Sequence, residues 1–159
     1  MASTPLQEGQ PAPAFSSVTT DGGTVSLADY RGKWLILYFY PKDDTPGCTK
    51  EACSFRDLYS ELTGRNAEVL GVSLDSPESH QHFTRKFGLP FTLLADAEAA
   101  VATAYGVYGE KKNYGRTYMG IIRTTFLIDS QGVIRKIFRK VDVEHHAADL
   151  LAAIEEAGG

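Results

Sequence analysis

The sequence predicts an α/β fold in which helices flank a mixed central β-sheet. Lys33–Tyr40, KWLILYFY, is an apolar and aromatic run without clean alternation, which is typical of a strand covered on both faces. Strand-like and helix-like segments then alternate as far as residue 105. Two final strand-like segments, Thr124–Asp129 and Val133–Val141, are separated by the short turn of a hairpin. This order predicts a sheet that is parallel in its centre and antiparallel at one edge.

The other elements follow in order along the chain. Phe15–Val18 is a short strand candidate before the turn at residues 21–23. Pro46–Leu62 places apolar side chains on one line at helical spacing, and Gly64 ends that helix. The remaining segments, assigned from apolar runs, helix-start residues and glycine stops, are a strand at 67–74, a helix at 77–87, a strand at 92–94 and helices at 97–105 and 144–157.

Two segments lack a regular pattern. Residues 1–13 are polar and rich in proline, so we expect an N-terminal arm leading into one domain that spans residues 1–159. Residues 107–121 show no sustained period, and structureless loops of that length are usually functional or mobile. We therefore expect a loop there, either a solvated surface segment or a segment beside a functional site.

Composition and charge argue against several function classes. The net charge of −4 disfavours a nucleic-acid partner, because nucleic-acid binders present a basic face. No stretch approaches the roughly 20 apolar residues that span a bilayer, and the N-terminus lacks the basic and apolar regions of a secretory signal. We expect a soluble, cytoplasmic protein. Two cysteines in a reducing compartment are too few for a disulfide scaffold, so any pairing between them should be transient.

Cys48 lies where a reactive thiol is expected, between the central strand and the first long helix. With Thr45 as N-cap and Pro46 as the first helical residue, the sulfur lies beside unpaired backbone N–H groups. These groups favour the thiolate, which is the nucleophilic form of cysteine. Asp43 and Asp44 oppose it through their negative charge. We expect the N–H groups to dominate, since both aspartates can point into water.

Both cysteines also have passive interpretations. Cys48 lies on the apolar stripe of its helix, so it could be a small buried side chain, although the preceding Thr45-Pro46-Gly47 argues against a plain core position. Cys53 could be an inert thiol, because C-x4-C is not the C-x-x-C of redox motifs or of most zinc sites. Residues five apart on a regular helix have Cα atoms roughly 8.6 Å apart, whereas a disulfide needs less than about 7 Å. A bond between the two cysteines would therefore require the first helical turns to unwind.

The segment PKDDTPGCTKEAC, Pro41–Cys53, closely resembles the active-site segment of Q-type peroxiredoxins, also called bacterioferritin comigratory proteins. Four other segments also resemble this family: residues 9–15, 71–83, 89–96 and 123–129. The resemblance implies a thioredoxin-like fold and a thiol-specific peroxidase that serves in antioxidant defence.

The resemblance also implies roles for individual residues. Cys48 matches the peroxidatic cysteine, which becomes a sulfenic acid, and Cys53 matches the resolving cysteine that condenses with it in the same chain. Pro41 would shield the sulfur from water. Thr45 would hydrogen-bond the peroxide and hold the thiolate. Arg123 would favour the thiolate and the charge on the leaving oxygen, whereas the residue pattern alone favours pairing of this arginine with a surface acid.

The implied substrates are hydrogen peroxide and organic hydroperoxides, and the implied reductant is thioredoxin or a similar dithiol protein. No metal or organic cofactor is expected, and a monomer suffices because both cysteines lie in one chain. The four histidines lack a closed metal-ligand set and are expected on the surface: His80, His82, His145 and His146.

Two other functions fit part of the pattern. A thiol-disulfide oxidoreductase acting on proteins shares the fold, but it normally uses C-x-x-C. A peroxide sensor or holdase would be oxidised once and would then bind partners. Steady peroxide turnover with thioredoxin, as against a single stoichiometric oxidation, separates a peroxidase from this last class.

Overall fold

The central sheet confirms the predicted α/β architecture. The computed structural model describes residues 6–158, apart from the side chain of residue 113. In chain order, the elements are β1 (Ser16–Val18), β2 (Thr24–Ser26), a 3₁₀ helix (Leu27–Tyr30), β3 (Trp34–Phe39), α1 (Pro46–Gly64), β4 (Ala67–Ser73), α2 (Pro77–Phe87), β5 (Thr92–Ala95), α3 (Ala100–Ala104), β6 (Tyr108–Asn113), β7 (Arg116–Ile121), β8 (Thr124–Ile128), β9 (Ile134–Phe138) and α4 (His146–Glu156). Five strands form one sheet in the order β5-β4-β3-β8-β9. Strands β3, β4 and β5 are parallel, and β8 and β9 add an antiparallel edge.

Strand β3 is covered on both faces, which explains its unbroken apolar run. Ile36 and Tyr38 point into a core shared with α1, α2 and α4. Leu35 and Leu37 point to the opposite face, where they pack with α3 and with Phe15. Successive side chains of a strand alternate between faces, so both faces of the central strand must be apolar. No helix within residues 6–158 is long and apolar enough to cross a membrane.

The N-terminal arm is attached to the sheet edge. Gly9 donates its N–H to the carbonyl of Ile134 at 2.7 Å, and Ala12 donates to Gly132 at 2.8 Å. Pro11 lies opposite Val133 in an isolated antiparallel bridge. Its missing N–H is tolerated because its neighbours supply the bonds. The part of the predicted arm at residues 1–5 lies outside the described residues.

The prediction of a loop at residues 107–121 was wrong. The segment forms an antiparallel hairpin of β6 and β7, from the Tyr108–Ile121 pair to the Asn113–Arg116 pair. Tyr114 and Gly115 form its two-residue turn with φ values of 51° and 76°, as hairpin turns of this length require. Most of its outer residues are exposed, so no alternation of apolar and polar residues marked the two strands.

Candidate active site

Cys48 lies in the first turn of α1. Thr45 has an extended backbone and is the N-cap, and Pro46 is the first helical residue, as the sequence predicted. Cys48 is 1% exposed, so its thiol lies at the edge of the core. The first backbone N–H groups of a helix lack intrahelical partners, and their partial positive charge favours a negative sulfur.

Arg123 reaches Cys48 from the link between β7 and β8. Its Nη2 donates a hydrogen bond to the Cys48 Sγ at 3.2 Å, and its Nη1 donates to a carboxylate oxygen of Glu51. Gly47 leaves room for this approach, because a Cβ atom there would lie 3.2 Å from Nη2. The acid paired with Arg123 is therefore a fully buried one, and the surface pairing favoured by the residue pattern is absent among the described contacts.

Glu51 is a buried acid that the sequence analysis missed. It lies one turn after Cys48 and is 0% exposed. Burial raises the pKa of Glu51 from 4.5 to about 7, although the Arg123 guanidinium acts to lower it. Among the described residues, its Oε2 has no hydrogen-bond partner. A usable indication was available, because Glu51 follows Cys48 by three residues and precedes Phe55 by four, which places a carboxylate next to the apolar stripe.

His146, at the start of α4, lies beside Glu51. Its Nε2 is 2.7 Å from the Thr125 hydroxyl and 3.8 Å from the Glu51 Oε2. Burial, followed by the charge of Arg123, lowers the pKa of His146 to about 4. The ring is therefore neutral at physiological pH, and its contact with Glu51 is not an ion pair.

The expectation of four surface histidines was wrong for two of them. His80 and His146 are 0% exposed, whereas His82 and His145 are exposed. The buried rings are held by partners on other elements, which a helical pattern does not reveal. Within residues 6–158, no group of three His, Cys, Asp or Glu side chains is placed to hold a metal ion.

Pro41 and Thr45 lie in the turn between β3 and α1, and both are half-buried. The Thr45 hydroxyl donates to the Lys42 carbonyl at 2.9 Å instead of capping the helix. Its oxygen can still accept a hydrogen bond from a bound ligand.

The two aspartates of this turn differ, and the expectation that both point into water was wrong for one. Asp44 is exposed and pairs with Lys86 at 2.7 Å. Asp43 is 7% exposed, and its carboxylate is bonded by Tyr40 at 2.6 Å and by His80 at 2.7 Å. The local sequence contained no indication of the contact with His80, because that histidine belongs to α2.

Cys53 shares α1 with Cys48 but has different surroundings. Both thiols are free, and Cys53 is half-buried. It lines an open groove with Lys50, Ser54, Asp57 and Glu144. Because α1 runs unbroken from Pro46 to Gly64, the cysteine spacing is that of a helix, which is too long for a disulfide.

The base of the β6–β7 hairpin adjoins the site. Lys111 is half-buried, and its Nζ donates to the Ile121 carbonyl at 2.9 Å. Burial lowers the pKa of Lys111, the Arg123 charge lowers it further, and Cys48 acts in the opposite direction. Lys111 is thus a second cation near the thiol, whereas Tyr114 at the hairpin turn is 98% exposed. The segment therefore has one end near the site and the other in solvent.

Comparison with known proteins identifies the family. The model of the AhpC/TSA family matches residues 8–137. A putative peroxiredoxin bcp of Coxiella burnetii is 51% identical over 149 residues, which cover 94% of this chain and 99% of the relative. The chain is a peroxiredoxin of the AhpC/TSA family. As a peroxiredoxin it is a peroxidase, that is, an oxidoreductase that reduces peroxides.

Solved structures of similar proteins confirm the thioredoxin-like fold of this peroxiredoxin. A cysteine-to-serine mutant of PrxQ from Xylella fastidiosa superposes with a TM-score of 0.92 at 35% identity, covering 99% of this chain and 100% of that one. A structure of the bacterioferritin comigratory protein of Xanthomonas campestris, described for its alkyl peroxide reduction activity, gives a TM-score of 0.86 at 39% identity. That match covers 91% of this peroxiredoxin and 92% of the X. campestris chain. The resemblance of Pro41–Cys53 to Q-type peroxiredoxins is thereby confirmed.

Proposed function

We propose that Cys48 is the peroxidatic cysteine of this peroxidase. The observation that carries the proposal is the 3.2 Å hydrogen bond from Arg123 to the Cys48 sulfur at the start of α1. The thiolate attacks the terminal oxygen of the peroxide, the O–O bond breaks, and Cys48 becomes a sulfenic acid. The other oxygen leaves with the electron pair and is protonated to water or an alcohol. Hydrogen peroxide and organic hydroperoxides are the proposed substrates, and the alkyl peroxide activity described for the X. campestris protein supports the second class.

Three neighbouring residues have proposed roles in this step. Arg123 holds the sulfur as a thiolate and stabilises the charge that develops on the leaving oxygen, since a guanidinium is always charged and donates in a fixed plane. Thr45 accepts a hydrogen bond from the incoming peroxide, and it would help to hold the thiolate once its hydroxyl turns away from the Lys42 carbonyl to which it donates. Pro41, half-buried at the end of the central strand, keeps bulk water from the sulfur.

Cys53 is the proposed resolving cysteine. Its thiol condenses with the Cys48 sulfenic acid, so an S–S bond forms and water leaves. In the reduced protein both residues belong to one continuous helix, in which their Cα atoms would be roughly 8.6 Å apart. The first turns of α1 must therefore unwind in each cycle.

Thioredoxin or a similar dithiol protein is the proposed reductant of this disulfide, and the half-buried Cys53 on an open groove supports its access. A single domain, a monomeric state and a cytoplasmic location stay predictions from the sequence.

Peroxide consumption coupled to thioredoxin and thioredoxin reductase tests both cysteine roles. We expect Cys48→Ser to abolish peroxide reduction. Cys53→Ser should consume about one equivalent of peroxide and then stop, because its sulfenic acid has no partner in the chain. Full thioredoxin-driven turnover by Cys53→Ser would refute the resolving role. A wild-type protein that stops after one equivalent would favour a sensor over a peroxidase cycle.

Hydrogen exchange of the reduced and disulfide forms tests the unwinding. We expect amide protection at residues 47–56 to fall by at least about tenfold in the oxidised protein, because that disulfide cannot form in a regular helix. Amides of α3, which packs on the opposite face of the sheet from α1, provide the internal reference. Equal protection of residues 47–56 in both forms would contradict the proposed unwinding.

A further inference from the structure

A buried acid and a buried histidine meet behind the turn that leads into α1. Asp43 lies in that turn, and His80 lies on α2, 37 residues later. The His80 Nδ1 is 2.7 Å from the Asp43 Oδ2, and its Nε2 is 2.9 Å from the carbonyl oxygen of Leu94. The histidine is 0% exposed and the aspartate 7% exposed. The pair therefore joins the turn to α2 and β5 with little access to water.

The hydrogen bonds fix how many protons this pair holds. A carbonyl oxygen only accepts, so the His80 Nε2 must carry a proton that it donates to Leu94. The Nδ1 and the Asp43 Oδ2 cannot face each other at 2.7 Å with two lone pairs, so a second proton lies between them. Whichever atom carries that proton, the pair has no net charge.

The other groups around Asp43 are arranged as donors. Tyr40 donates to Oδ1 at 2.6 Å, and Ser79 donates to Oδ2 at 2.8 Å. Burial raises the pKa of Tyr40 well above its ordinary value, so its phenol keeps its proton. The second carboxylate facing this turn is that of Asp75, which accepts the backbone N–H of Asp43 at 2.8 Å. With His80 these contacts hold the turn to the sheet from several sides.

Asp43 precedes Cys48 by only five residues, and both lie near Tyr38, whose pKa is raised first by burial and then by negative charges that include these two. An ionised Asp43 without a countercharge would oppose a thiolate at Cys48. The turn that positions Thr45 and begins α1 is held by the same carboxylate.

We propose that His80 and Asp43 are positioning residues for peroxide reduction. His80 supplies the proton that neutralises Asp43, so that the turn is anchored without placing a negative charge near the Cys48 thiolate. This inference rests on the proposed peroxidatic role of Cys48 and assigns no contact with the substrate to either residue.

Two variants separate the charge from the packing. In His80→Asn the amide can still donate to Asp43 from near the Nδ1 position, but it cannot supply a proton to neutralise the carboxylate. The double variant Asp43→Asn/His80→Asn also loses the hydrogen bond from the His80 Nε2 to the Leu94 carbonyl, but it has no negative charge at position 43. The difference between the two variants reports the Asp43 charge together with the loss of one of its two acceptor oxygens, which accept from Tyr40 and Ser79. Of these two changes, the charge is the one expected to displace the pH midpoint.

The measurement is the rate of the first oxidation by hydrogen peroxide, followed by competition with a heme peroxidase between about pH 5 and 9. We expect His80→Asn to move the midpoint of the pH–rate profile upward by about half a unit to one unit, so that the reaction slows by about threefold to tenfold at pH values well below the midpoint and little above it. The double variant should return the midpoint to the wild-type value. Equal midpoints in all three proteins, or an equal displacement in both variants, would overturn the proposal.

Nitrogen NMR of the wild-type histidines supplies a measurement that needs no folded variant. We expect His80 to carry protons on both ring nitrogens, or one on Nε2 and one shared between Nδ1 and the carboxylate. A proton-free Nδ1 that shares no proton would refute the inference even if the enzyme is active. A wild-type protein that does not reduce peroxide through Cys48 would instead refute the proposed function, so the two failures are distinguishable.

Discussion

Replacement of Glu51 by glutamine should change how the stability of the protein depends on pH. Glu51 is fully buried, and its pKa is raised by burial from 4.5 to about 7. The folded protein therefore binds a proton more tightly at this residue than the unfolded chain does. Above about pH 7 the carboxylate is ionised in both states and burial of the charge destabilises the fold. As the pH falls through 7 toward 4.5, protonation removes this destabilisation.

The size of the effect follows from the two pKa values. At about 1.4 kcal/mol for each pH unit between them, the ionised Glu51 destabilises the fold by about 3 kcal/mol. The amide of Glu51→Gln stays neutral, and its oxygen can still accept the hydrogen bond from Arg123. We expect the variant to be more stable than wild type by about 3 kcal/mol near pH 8, and this difference should disappear below about pH 4.5.

Urea unfolding of the reduced proteins across this pH range measures the difference directly. His146, whose lowered pKa destabilises the fold as the pH falls, contributes to both proteins. Because it lies 3.8 Å from the Glu51 Oε2, the comparison is read between about pH 6.5 and 8, where this histidine is neutral in the folded state of both proteins. Glu61, an exposed carboxylate of the same helix, provides the matched control in Glu61→Gln. Equal stabilities of wild type and Glu51→Gln between about pH 6.5 and 8 would refute the assignment of a buried, titrating Glu51.

Two glycine-to-alanine substitutions test positions where another side chain lies too close to the backbone to leave room for a Cβ atom. Gly47→Ala should push the Arg123 guanidinium away from the thiol, since the new Cβ would lie 3.2 Å from Nη2, and slow peroxide reaction by about tenfold. Gly64→Ala in the same helix meets nothing within 4 Å and should leave the competition rate unchanged; equal rates for both variants would contradict the argument. Gly71→Ala should destabilise the protein by about 2 kcal/mol, because its Cβ would lie 2.8 Å from the Tyr38 ring; an unchanged urea midpoint would refute this.

The spacing of apolar residues along the chain predicted those helices and strands whose own side chains are buried in a regular pattern. The run at Lys33–Tyr40 predicted the central strand, and the apolar stripe of Pro46–Leu62 predicted the helix that carries both cysteines. The β6–β7 hairpin was missed because residues on both of its faces are exposed. Apolar and polar side chains therefore do not alternate along its strands, and alternation is the pattern that predicts a strand. Its Tyr114-Gly115 turn was the one available indication.

The polar contacts of the site could not be predicted from the residue pattern. Arg123 and Glu51 are 72 residues apart, and which acid a given arginine faces depends on the packing of α1 against the β7–β8 link. The same holds for His80 and Asp43. The family resemblance led to Arg123, whereas His80 became evident only from its burial, and Glu51 had only its position next to the apolar stripe of α1 as an indication.

The position of Glu51 between the two cysteines links oxidation to proton release. Any unwinding that brings Cys48 to Cys53 must carry Glu51 out of its buried pocket and away from Arg123. Once hydrated, its carboxyl would titrate near 4.5 again instead of about 7. Formation of the proposed disulfide near pH 6 would then release a proton to solvent. Between about pH 4.5 and 7 the midpoint potential of the cysteine pair would consequently fall more steeply with rising pH than two thiols alone dictate, and more steeply with Glu51 than in Glu51→Gln.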